Sequence, residues 1–152
     1  MPRITEHINL EELTRSATAL RRGLDNTPPE SLLPNMKRVA EALEIIRAHF
    51  GKPIKVTSCY RSPQVNIAVG GSMTSAHRFG LAADFEVDGI ANIDVCRAIP
   101  SILAEFDQVI YEFGPTGWVH LGLSGSGSGR GELLTAVKQG KKTVYLPGIK
   151  EV

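Results

Sequence analysis

Apolar residues recur at helical spacing through the first third of the chain and at alternate positions through the middle, so helices are predicted first and strands after. Leu10, Leu13, Ala17 and Leu20 form a stripe behind Asn9, a good N-cap with Glu12 at the reciprocal capping-box position, and Gly23 ends this first helix. Leu32, Met36, Val39, Leu43, Ile46 and Phe50 repeat at steps of four and three. That stripe predicts a core-facing helix of about five or six turns. Thr27 caps it with Glu30 completing a capping box, Pro34 disturbs its first turns, and Gly51 stops it.

Beyond Gly51 the elements shorten. Residues 54–57 read as a strand, and Ser62-Pro63 opens a helix over 63–69 that Gly70-Gly71 closes. Residues 81–87 alternate, with Leu81, Ala83, Phe85 and Val87 on one face and Ala82, Asp84 and Glu86 on the other. A helix over 93–103 is interrupted or ended near Pro100. Residues 109–113 and 118–123 are strands of a hairpin joined through Gly114-Pro115-Thr116-Gly117. After a Gly/Ser-rich linker at 124–131, residues 133–137 and 143–146 flank a basic turn and predict a terminal hairpin. The fold class is therefore α+β, with N-terminal helices packed on a small, mostly antiparallel sheet. The expected organisation is a main domain at 1–123, the linker at 124–131, and a hairpin at 132–152 belonging to the same single domain.

Composition narrows the function classes. A chain of 152 residues, 42% hydrophobic and 22% charged, suits one soluble domain with a real core. A net charge of +1 gives no case for nucleic acid or a membrane surface, and no apolar run approaches spanning length. Charge is uneven, however: residues 77–123 hold two basic residues against seven acidic ones, as a cation-binding segment does. Cys59 and Cys96 have no metal-ligand spacing and read as free thiols. The first residues lack a signal-peptide core, so synthesis in the cytoplasm is expected, with release needed before any action outside it. A monomer is expected.

The candidate chemistry sits on the polar faces of two strands. A turn at Gly80 delivers His77 to Asp84, and His120 points away from the apolar face of Val119, Leu121 and Leu123. Two imidazoles and a carboxylate suit a catalytic zinc, which keeps three protein ligands and one open position. Non-haem iron uses the same donor types, but there one residue separates the first His from the carboxylate, and here six do. The base such a site needs is Glu112, the nearest acid before His120, with Glu86 on the Asp84 face as the fallback. Strand parity opposes Glu112. A loop of Gly114 to Gly117 alone would put Glu112 on the Val119 face, so an odd-length loop or a bulge is required.

Ser75-x-His77-x-x-Gly80-x-Ala82-x-Asp84, followed by Trp118-Val119-His120, resembles the zinc D,D- and L,D-peptidases of bacterial cell walls. That family includes phage endolysins and D-Ala-D-Ala carboxypeptidases and shares its fold with the hedgehog domain. The resemblance extends to Thr57-Ser58-Cys59-Tyr60-Arg61-Ser62-Pro63 and more loosely over residues 10–123. It implies zinc on His77, Asp84 and His120, peptidoglycan stem peptides as substrate, and an arginine at Arg61 that holds a substrate carboxylate or steadies the oxyanion. Ser75 also matches and would orient the site, while Trp118 either stacks on substrate or fills the core. A departure stands at Gly117, where the short-spaced acid before the last histidine is absent. The rival reading is a non-catalytic zinc-containing recognition module, and the orientation of Glu112 discriminates between the two.

Overall fold

The computed structural model describes residues 3–152. Five helices, α1 (Leu10–Thr14), α2 (Ala17–Arg22), α3 (Leu33–Phe50), α4 (Pro63–Ala68) and α5 (Asn92–Ile102), accompany six strands among the described residues. The strands are β1 (Ile54–Ser58), β2 (Ala82–Val87), β3 (Gln108–Glu112), β4 (Trp118–Gly122), β5 (Glu132–Gln139) and β6 (Lys142–Pro147). They form one sheet in the order β1-β2-β4-β3-β5-β6. Only β3 and β5 pair in parallel, so the α+β class holds with a mixed sheet.

The N-terminal region departs from the predicted pattern in two places. Asn9 and Glu12 do form the capping box of α1, but the stripe is cut in two because Arg15 is extended. The Ser16 side chain then accepts from the Ala19 amide and caps α2 afresh, and Gly23 closes it in the left-handed region. Nor does Thr27 cap the long helix. Its amide donates to Asp25 Oδ1 instead, a short 3-10 turn at Glu30–Leu32 follows, and α3 begins at Leu33 with Pro34 in its first turn. Of the two expectations at Pro100 the second holds: α5 ends two residues later, with Pro100 in the final turn, where only one backbone bond is forfeited.

The sheet has two unlike faces. Phe85, Val119 and Tyr111 stand in register on one face, beside Ala83, Leu121 and Val109. All six are buried in the cluster that takes Met36, Val39, Leu43 and Ile46 from α3 and Val95, Cys96 and Ile99 from α5. On the opposite face one row runs Ser58, Asp84, His120, Ile110, Leu134, and the next runs Trp118, Glu112, Ala136, Tyr145. A register shift between Val56 and Ser58 lets β1 place Val56 opposite Phe85 and still place Ser58 opposite Asp84. The Gly/Ser-rich segment is tied down at its far end. Arg130 makes two side-chain bonds to Asp107, at 2.9 and 3.1 Å, and the Gly131 amide donates to the Phe106 carbonyl. Gly129 passes so close that a Cβ would lie 2.2 Å from the Phe106 carbonyl oxygen, so only glycine fits.

Candidate metal centre

His77 lies in a short 3-10 turn, Ala76–Phe79, that Ser75 caps by accepting from the His77 amide and that Gly80 closes with φ of 67°. The turn is fastened to the segment after β1 from both sides. The His77 carbonyl accepts from the Arg61 amide at 3.0 Å, and His77 Nδ1 lies 2.7 Å from the Cys59 carbonyl oxygen. That carbonyl can only accept, so Nδ1 carries the proton and Nε2 presents its lone pair to the site. The Cys59 role was not visible in the sequence, because it belongs to the backbone and not to the thiol.

Three donors converge there. His77 Nε2 is 3.3 Å from Asp84 Oδ2, and His120 Nδ1 is 3.0 Å from Asp84 Oδ1. All three residues are buried, with one ligand atom from each lying within 4.8 Å of the others. His120 directs its Nε2 over Gly122, where a Cβ would come within 3.5 Å of it. Burial alone would raise the Asp84 carboxyl, but the neighbouring His77 and His120 outweigh it and hold Asp84 well below the usual carboxylate range. Two imidazole nitrogens and an ionised carboxylate in a buried pocket are a donor set that fits zinc.

Glu112 joins this face through the loop. Its partner across the hairpin is Trp118, so residues 113–117 make a five-residue connection and not the four-residue one predicted. The strand ends early because Phe113 turns into the left-handed region, at φ of 63°. Gly117 permits the sharp return, since a Cβ there would fall 1.7 Å from the Glu112 carbonyl oxygen. The extra loop residue restores parity and puts Glu112 on the same face as His120. Burial, and then the Asp84 charge, push its carboxyl up to about 7, against the opposing pull of His120 and Arg61. A carboxyl with that affinity exchanges protons near neutrality.

These groups line one cleft of about 650 Å³, which also includes Arg61, Ser75 and Trp118. Arg61 reaches Asp84 Oδ2 at 3.5 Å and braces on Ser58 Oγ. Trp118 packs edge-on against Phe113, and its Nε1 is buried without a partner among the described residues. Glu86 is not in the cleft; it faces Lys55 across β1 and lines a separate depression with Pro53 and Pro115. Sequence reasoning did not anticipate Arg130, Leu134 and Tyr145, which β5, β6 and the segment before them add to the cleft wall. Their signal was weak, since the parallel pairing of β5 beside β3 is a long-range contact.

A family model for peptidase M15 matches residues 6–122. The chain belongs to the M15 peptidase family. M15 peptidases are zinc-dependent metallopeptidases, and the His77, Asp84 and His120 cluster is the group able to hold that ion here. No curated protein matches the chain. Cys59 and Cys96 are both buried and unpaired, and burial pushes each thiol up to about 12, so neither is a ready nucleophile. No helix among the described residues is long and apolar enough to cross a membrane.

Proposed function

We propose that this M15 peptidase hydrolyses peptide bonds of peptidoglycan stem peptides, as a phage or prophage endolysin or a D-Ala-D-Ala carboxypeptidase-like enzyme. The observation that carries the reading is Glu112, a half-buried carboxyl beside the ligand cluster whose proton affinity lies near neutrality. A recognition module has no use for such a group. Burying a carboxylate without a neutralising partner is costly, and a domain selected only for binding would be better served by an apolar residue there.

His77, Asp84 and His120 would hold the zinc, which when bound would supply Lewis acidity toward the scissile carbonyl and the attacking water. The Glu112 carboxylate takes the proton of that water as its oxygen adds to the carbonyl carbon. Glu112 then returns the proton to the amide nitrogen as the C–N bond breaks, so that an acid and an amine leave the site. Arg61, fixed by Ser58 and by its own backbone bond to His77, offers its guanidinium to a substrate carboxylate or to the developing oxyanion. The Cys59 carbonyl keeps the His77 ring in one tautomer throughout.

Digestion of purified muropeptides followed by mass spectrometry, with and without a chelator, tests this reading. New peptide fragments that vanish with the chelator are expected. Intact muropeptides after prolonged incubation with zinc-loaded protein would overturn the peptidoglycan assignment and favour the recognition module.

A further inference from the structure

The cleft has a wall that the matched residues 6–122 do not supply. Hairpin β5–β6 lies beside β3 and carries Leu134 and Tyr145 onto the metal-bearing face of the sheet. Leu134 continues the row of Asp84, His120 and Ile110, while Tyr145 ends the row of Trp118, Glu112 and Ala136. Ala136 is the smallest side chain in its row and is fully buried, and Glu112 and Tyr145 line the cleft on either side of it along the row. Trp118 and Tyr145 stand at the two ends of the row. Three interstrand spacings separate them, roughly 14 Å between backbones.

Tyr145 is 53% exposed, an unusual state for a large ring on a face otherwise devoted to the site. It is not needed to fill the core, which lies on the other side of the sheet. Arg130, which lines the cleft ahead of β5, is paired with Asp107 and Glu132, and Lys138 beyond Ala136 is drawn over the Phe113 ring. The chemistry the wall offers is an apolar platform, Leu134 and the Tyr145 ring, for an extended chain. An extended peptide advances about 3.3 Å per residue. Tyr145 is three strands away from His120, so a substrate bond placed at the metal ligands brings a residue about four positions away over Tyr145.

We propose that hairpin β5–β6 is the substrate-reading wall of the cleft, and that the Tyr145 ring packs on an extended peptide about four residues from the scissile bond. The inference rests on the peptidase reading above and deepens it: the preferred substrate is a peptide of about five residues or more, and a shorter one leaves the wall unused.

The chain's one tryptophan, Trp118, lies in this cleft, so its fluorescence reports occupancy without turnover. Zinc-loaded Glu112→Gln protein is titrated with synthetic peptides of two to seven residues built on the stem-peptide sequence. Affinity is expected to rise about tenfold once the fragment reaches Tyr145. In the Tyr145→Ala background most of that length advantage disappears, and Tyr145→Phe, which keeps the ring, retains it. Circular dichroism checks that each variant is folded, and Tyr145→Phe keeps the comparison intact if the alanine variant is not. A length advantage that survives in Tyr145→Ala, or is lost in Tyr145→Phe, overturns the wall while leaving the peptidase reading in place. No response of the starting protein to any fragment overturns both.

Discussion

The two faces of the sheet use the same strands for opposite purposes. In β2, Phe85 and Asp84 are neighbours, and both are almost fully buried. Phe85 is buried because α3 and α5 cover it, and its burial is favourable by itself. Asp84 is buried at a cost that only partners of opposite character offset, and His77, His120 and Arg61 are those partners. The helical face therefore holds its shape without the other. The cleft face is a set of groups that are comfortable only together, and with a cation more so than without one. Damage to the first should lower stability whatever the metal state, whereas damage to the second should act through the metal.

The sharpest way to separate the faces is His77→Ala. It should abolish zinc binding and with it all measurable hydrolysis, while Glu41→Ala on the exposed side of α3 should leave zinc content unchanged. Elemental analysis after growth in zinc-replete medium decides it, and full zinc occupancy in His77→Ala would break the cleft half of the comparison.

Phe85→Ala probes the other half. The side chain is fully buried, so lost burial and the cavity left behind should cost about 3–5 kcal/mol in urea unfolding. The same loss should appear with zinc or with chelator. A cost that disappears in chelator would mean that the core face depends on the metal too.

A smaller effect concerns the charge at Glu112. Its carboxyl stands at about 7 in the fold against an ordinary value of 4.5 in the unfolded chain. The folded state then binds the proton more tightly, so the metal-free protein should lose stability as pH rises from about 4.5 through 7. Glu112→Gln removes that dependence. In chelator it should be the more stable protein at pH 8, by up to about 2 kcal/mol after allowing for solvent screening at the exposed edge, and the gap should close by pH 4. Unfolding curves at the two pH values measure it, and an equal gap at both would mean that Glu112 is not held in a costly ionised state.

Much of this division was legible in the alternation of residues 81–87 and 118–123, because period-two patterning assigns a face to every side chain once one face is known to be core. Asp84 and His120 followed from that assignment and His77 from the turn at Gly80, and the structure brings the three together. What the pattern missed was local geometry with no hydrophobic signature. The left-handed Phe113, which gives the loop its fifth residue, is such a case, since apolar aromatic residues rarely adopt that conformation. The Cys59 carbonyl is another, because any residue offers a carbonyl. At the N-terminus a continuous apolar stripe concealed the break at Arg15, where the Ser16 cap outcompeted helix continuation. The Tyr145 wall depended on β5 pairing with β3 across the sequence, which no local pattern encodes.

The central claim is that the cleft face keeps a metal-holding cluster and a separate proton carrier, and one paired measurement addresses both. Zinc content and muropeptide turnover are determined on the same preparation of Glu112→Gln. About one zinc per chain is expected, because Glu112 is outside the cluster of His77, Asp84 and His120. Turnover should fall by about 10²- to 10⁴-fold, the usual worth of general acid–base catalysis. A rate within about threefold of the unaltered protein, or loss of zinc along with the rate, would contradict the separation of the two roles.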